Sequence, residues 1–161
     1  MNYTIKTIEL NEAERRLSRF LSKKRLERNR NLHGLKNTSK QGPQSDEDME
    51  LDGVAAEIAF CKAFNLYPDM MLDCSPIEDC RLPDGKTVDV KATVYSNGDL
   101  PAPKWKFHKQ TDLYALMVGR FPVFTFKGFA TKEMMFGKEP QDYYGNGDCY
   151  MVPQCELVFM I

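Results

Sequence analysis

Asp79-Cys80-Arg81-Leu82-Pro83-Asp84-Gly85-Lys86-Thr87-Val88-Asp89-Val90-Lys91 is the stretch on which the reading of this 161-residue chain turns. Pro83-Asp84-Gly85-Lys86 is a strong turn signal: proline presets φ, aspartate bonds its own backbone, and glycine accepts a positive φ. Beyond it, Val88, Val90, Ala92 and Val94 alternate with Thr87, Asp89, Lys91 and Thr93, the period-two pattern of a strand over Thr87 to Tyr95. Side chains two apart on a strand share a face, so Asp89 and Lys91 project together, away from the valines. The turn folds Asp79 back alongside the same strand. Two carboxylates and an ammonium converge on one hairpin. Asp84 is a further acid, but its place in the turn favours a structural role.

Upstream, Leu51, Val54, Ala55, Ile58, Cys61 and Phe64 recur at helical spacing, predicting a helix from about Ser45 to Phe64. Ser45 is its expected cap, and Asp46, Glu47 and Asp48 suit the positive end of its dipole. Glu57 falls on the apolar stripe of this helix. A buried ionised carboxylate is costly unless it is paired or binds a metal. Glu57, Asp79 and Asp89 are therefore candidate ligands for a hard cation, with Lys91 beside them. Mg²⁺ prefers oxygen ligands and is held by one or two carboxylates with waters and substrate phosphate. Such an ion acidifies a bound water and offsets charge on a phosphate, the chemistry of phosphodiester hydrolysis.

A glutamate in a helix, then an aspartate, then Asp-x-Lys on a strand resembles the PD-(D/E)XK nuclease superfamily, and within it the small resolvase-like and phage-encoded members. The likeness covers roughly Asp52 to Tyr95; Glu78 stands where the motif has proline. The resemblance implies a restriction-endonuclease-like αβββαβ core, α/β with a mixed central sheet flanked by helices. It also implies Mg²⁺ or Mn²⁺ as cofactor, cleavage of DNA or RNA, homodimers among the relatives, and a phage source. Matched position by position, Glu57 is the helix carboxylate, Asp79 the first motif acid, Asp89 the second, and Lys91 the motif lysine. On this reading Asp89→Asn or Lys91→Ala abolishes cleavage without unfolding the protein.

Toward the N-terminus, Tyr3 to Leu10 reads as a short strand or extended lead-in. Asn11 and Glu14 have capping-box spacing and open a helix to about Asn31. Leu17, Phe20, Leu21 and Leu26 form its expected apolar side. The net charge of −1 conceals ten Lys or Arg against three Glu between Asn11 and Lys40. That excess suits a polyanion-binding arm, with Arg15, Arg19 and Lys23 as one ridge and Arg16 and Arg30 reaching toward the cleft. Lys104, Lys106 and Gln110 flank Trp105 and Phe107, a mixture of basic and aromatic residues suited to holding phosphates and stacking bases. The segment 32–45 is expected to be a mobile loop.

The remaining chain predicts strands over Asp112 to Val118 and Val123 to Phe129, a short helix over Thr131 to Phe136, and loops over Ser96 to Pro103 and Gln141 to Asp148. Length and a 42% hydrophobic composition fit one domain over 1–161. There is no apolar run of the ~20 residues a membrane helix needs, so the expectation is a soluble intracellular protein without a membrane partner. Five cysteines fit reduced thiols better than disulfides, and their spacing is too wide for the usual zinc pairs. Two other functions compete with the nuclease: a catalytically inactive nucleic-acid-binding protein of the same fold, and a phage accessory or interaction protein.

Overall fold

The computed structural model describes residues 3–33, 44–72, 78–143, 145 and 147–160. Most of the loop expected over 32–45 lies outside them. Strand β1 (Lys6–Glu9) leads into α1 (Glu12–His33), and α2 (Asp46–Phe64) follows. The hairpin is β2 (Cys80–Arg81) and β3 (Thr87–Thr93), and β4 (Leu100–Pro103) runs into a 3-10 helix at Lys104–His108. Then come β5 (Leu113–Arg120), β6 (Val123–Thr131), α3 (Lys132–Phe136), β7 (Gln141–Asp142) and β8 (Asp148–Val152).

The main sheet is mixed, with order β1-β6-β5-β3-β2, and β3 and β5 are its parallel pair. A second, separately hydrogen-bonded sheet has the order β4-β8-β7. This second sheet corrects the loops expected over Ser96 to Pro103 and Gln141 to Asp148. Each of its strands is short, and two prolines interrupt β4, so local periodicity is weak. Along the chain α2, β2, β3, β4, the 3-10 helix and β5 follow one another. The sheet is mixed and flanked by helices, as expected; between β3 and β5, however, the chain forms a 3-10 helix and no α-helix, and β4 belongs to the second sheet.

The caps form as the sequence predicts. Asn11 Oδ1 accepts from the Glu14 amide at 2.9 Å, and the Asn11 amide donates to Glu14 Oε2 at 2.6 Å. Ser45 Oγ accepts from the Asp48 amide at 3.1 Å. The buried face of α1 differs from expectation. Phe20 is 56% exposed, and the buried residues are Ser18, Leu21, Ser22 and Arg25. The small serines let α2 approach closely, and their hydroxyls bond carbonyls of their own helix. Helix α1 is therefore a packed layer, not a detachable arm.

Helix α2 is buried from Val54 to Cys61 on nearly every side, because α1 covers one face and the sheet the other. Its core partners on the sheet include Val88, Val90, Ala115, Met117, Phe126 and Phe129. A bulge between Leu116 and Met117 of β5 and the facing β6 residues brings Phe126 and Phe129 to one face, their rings 4.9 Å apart. Gly128 makes this possible: its φ is +126°, and a Cβ there would sit 2.9 Å from Leu157. The opposite face of the sheet, with Tyr114 and Leu116, meets the second sheet and α3 in a smaller core containing Leu100, Met135 and Val152. Asp89 and Lys91 pair in register with Tyr114 and Leu116, so they stand on the side that the second sheet covers. That cover buries a strand face which the sequence alone would leave in solvent.

Candidate active site

Strand β2 is only two residues long, so it leaves most of the β3 edge uncovered. The Asp79 amide donates to the Val88 carbonyl at 2.8 Å, which holds this residue against β3. The next edge amide, Val90, donates to Asp79 Oδ2 at 2.6 Å. A side chain thus replaces the missing ladder bond, and the Asp79 carboxylate is fixed at the edge. The turn that precedes β3 is closed by Asp84, which accepts from the Lys86 amide at 3.1 Å. At the start of β3, Thr87 and Asp112 bond reciprocally, tying the hairpin to β5.

Asp89 is 2% exposed. Lys91 Nζ lies 2.6 Å from its Oδ1 and Lys106 Nζ 2.8 Å from its Oδ2. Lys106 was expected at the nucleic-acid surface. It is buried instead, and the 3-10 helix turns its ammonium inward. Burial alone would raise the Asp89 pKa, but the two ammoniums outweigh it and hold the group below the usual carboxylate range. Its stabilisation is therefore present above the unfolded value and is lost as pH falls through the folded one.

This arrangement changes the expectation for Asp89→Asn. The amide would leave two cations facing each other in a largely dry site. The predicted cost is at the low end of about 3–5 kcal/mol, since the Lys91 side chain keeps 26% exposure. Urea denaturation of the variant measures it, and a change within ±0.5 kcal/mol would contradict the arrangement.

Glu57 is also paired. Arg25 Nη1 donates to Glu57 Oε2 at 2.9 Å, while its Nε donates to the Met71 carbonyl at 3.0 Å. Arg25 Nη2 reaches both the Asp69 carbonyl at 3.0 Å and Asp69 Oδ2 at 3.2 Å. Arg25 is one of the ten basic residues between Asn11 and Lys40 expected together as a polyanion-binding arm, and it is buried. Its spacing after Ser18, Leu21 and Ser22 is the signal that could have assigned it to the buried face.

The four expected residues belong to one electrostatic unit. Burial raises the Asp79 pKa well above normal, and the charges of Glu57 and Asp89 add to this against Lys91. Burial likewise raises Glu57, against Arg25 and Lys91. Burial would lower the pKa of Lys91, but Asp89, Asp79 and Glu57 together raise it. Glu57 and Lys91 line a cleft of about 570 Å³, whose other wall carries Pro101, Lys104 and Trp105.

No group of three or more His, Cys, Asp or Glu with metal-holding geometry occurs among the described residues. The fit to a hard cation rests on fewer ligands. Asp79 Oδ1 and Glu57 Oε1 have no hydrogen-bond partner among the described residues, whereas both Asp89 oxygens hold ammoniums. The pair Asp79 and Glu57 repel each other in a buried place, which is the electrostatic condition a cation relieves. Two carboxylates suffice for Mg²⁺ when water and phosphate complete its shell. The described cysteines are free thiols: Cys61, Cys80 and Cys149 are buried and Cys155 is exposed.

The other expected contact residues are mostly engaged within the protein. Arg15 pairs with Glu9 at 2.6 Å and Arg16 with Glu12 at 3.0 Å. Arg19 lies over the Phe121 ring at 4.7 Å. Arg30 pairs with Glu47 at 2.8 Å and does not line the cleft. Lys104 does line it and lies 3.3 Å from Asp148. Lys23 and Gln110 are exposed outside it.

Two helices over a mixed five-stranded sheet, with a buried carboxylate–ammonium cluster opening into a cleft, define a mixed α/β protein with a charged site at a strand edge. Over residues 4–160 the chain matches DUF5843, a family of unknown function, and it belongs to that family. No curated protein and no solved structure matches it. Among the described residues, no helix is long and apolar enough to cross a membrane.

Proposed function

We propose that this chain is a Mg²⁺- or Mn²⁺-dependent nuclease that hydrolyses phosphodiester bonds in DNA. The observation that supports the reading most is electrostatic. Glu57, Asp79, Asp89 and Lys91, drawn from a helix and two arms of a hairpin, act on one another's ionisation, and Glu57 and Lys91 line a cleft. The helix-then-hairpin order of α2, β2 and β3, which carries Glu57, Asp79, Asp89 and Lys91 in the order of the motif, also supports the reading.

Asp79 and Glu57, with Asp89 next to them, are the residues that would hold the ion. When bound there, it would supply an acidified water and offset charge on the phosphate. Lys91 remains an ammonium, because its carboxylate neighbours outweigh its burial. It therefore serves as a fixed positive charge for a phosphate oxygen and not as a general base. Lys106 pairs with the other oxygen of Asp89, 2.8 Å away, and adds a second positive charge to the cluster. Asp79 holds its edge position through Val90 whether or not it is ionised.

The test is incubation of the purified chain with supercoiled and branched DNA in Mg²⁺ or Mn²⁺, with EDTA as control. Metal-dependent products are expected, and Lys91→Ala should slow them by about 100- to 1,000-fold. Absence of metal-dependent products on duplex, branched and single-stranded DNA alike would remove the proposal.

A second reading is a nucleic-acid-binding protein without turnover. It is favoured by the pairing of both Asp89 oxygens and of Glu57 Oε2 with cations of the protein itself. It predicts binding that weakens steeply with salt and leaves the DNA intact.

A further inference from the structure

Trp105 is the single tryptophan of the chain. It is 59% exposed, on the wall of the cleft that contains Lys91 and Glu57. Its neighbour Phe107 packs its ring against the second core, meeting Tyr150 at 6.0 Å and Phe136 edge-on at 5.6 Å, while staying partly exposed. Trp105 has no aromatic partner among the described residues; the Lys106 ammonium lies over its ring at 5.2 Å. Tyr95, also exposed, and Lys104 line the same cleft.

We propose that Trp105 and Tyr95 form a stacking platform for the bases of an unpaired strand, so that the cleft takes single-stranded nucleic acid in preference to duplex. The inference builds on the nuclease reading for where the phosphate goes. Every base has a π-face that an indole can stack on, whatever the sequence. In a duplex those faces are already stacked, and only base edges and backbone are offered. An exposed tryptophan gains little from that surface. The cleft volume of about 570 Å³ is that of a small-ligand site, with room for nucleotides. Lys106 connects platform and site: the ammonium over the Trp105 ring is the one that holds Asp89 at 2.8 Å. A strand stacked there runs its backbone past Lys104 and Lys91. The recognised feature is the exposed base face, which single-stranded DNA and RNA share.

Because the chain has one tryptophan, its fluorescence reports position 105 alone. The full chain is titrated in EDTA with a mixed-sequence single-stranded oligodeoxynucleotide, an oligoribonucleotide of the same sequence, and the corresponding DNA duplex. Saturable quenching is expected with one or both single strands, at an affinity at least about tenfold above that for duplex, and the two arms identify the preferred sugar. Trp105→Ala should weaken single-strand binding by about 5- to 150-fold in anisotropy of a labelled strand, with Trp105→Phe retaining most of it. No quenching, equal affinity for duplex, or an unchanged Trp105→Ala variant overturns the platform. The Mg²⁺ cleavage assay keeps the two ideas apart. Quenching and single-strand preference without cleavage uphold the platform and remove the nuclease; metal-dependent cutting of duplex without quenching does the reverse.

Discussion

Replacing Arg25 with alanine is expected to lower the unfolding free energy by about 3–5 kcal/mol. The guanidinium is buried and joins three parts of the chain: α1, which carries it, Glu57 on α2, and the segment at Asp69 and Met71. Truncation leaves Glu57 as a buried anion without its cation and strands two carbonyls that now accept hydrogen bonds. Burial already raises the Glu57 pKa despite Arg25, so the lost pair leaves protonation as its relief. Arg25→Lys should recover only part of the loss, because one ammonium does not reproduce the planar fork that reaches four acceptors at once. Chemical denaturation followed by far-UV circular dichroism reads the effect. A loss below about 1 kcal/mol would mean that water already serves these groups.

Asp79→Asn is expected to move activity and stability in opposite directions. Burial, followed by the charges of Glu57 and Asp89, lifts the Asp79 pKa well above the usual carboxylate range. The folded state thus binds this proton more tightly than the unfolded chain. The stability it contributes is complete below the unfolded value of about 3.9 and is lost as pH rises through the folded value. Asparagine can still accept from the Val90 amide, now at 2.6 Å from Asp79 Oδ2, while carrying no charge. The variant should be more stable at neutral pH by on the order of 0.5–2 kcal/mol, with a flatter stability–pH profile. Metal-dependent cleavage should fall by about 100- to 1,000-fold. Thermal melts from pH 4 to 8 beside the cleavage assay measure both. A variant less stable than the parent at pH 7, with an unchanged pH slope, would show that Asp79 is not the strained member of the cluster.

The hairpin, both long helices and their caps were legible because each is written in local chemistry. Pro83-Asp84-Gly85-Lys86 closes its own turn, Asn11 and Glu14 bond each other, and Ser45 bonds three residues ahead. The candidate carboxylates were legible for a related reason: Glu57 on a predicted apolar stripe is an anomaly visible in one dimension, and the spacing of Asp89 and Lys91 puts them on one strand face. What only the tertiary structure decided is who neutralises those charges. Arg25 and Lys106 look like solvated cations in sequence, yet burial of α1 against α2 and the second sheet turn them inward. Charge pairing acts through space between residues far apart in the chain, such as Arg25 with Glu57, so no local pattern encodes it. The second sheet was hidden for the same reason: its strands are too short to declare a period, and they exist because pairing and the Tyr114 face of the main sheet stabilise them.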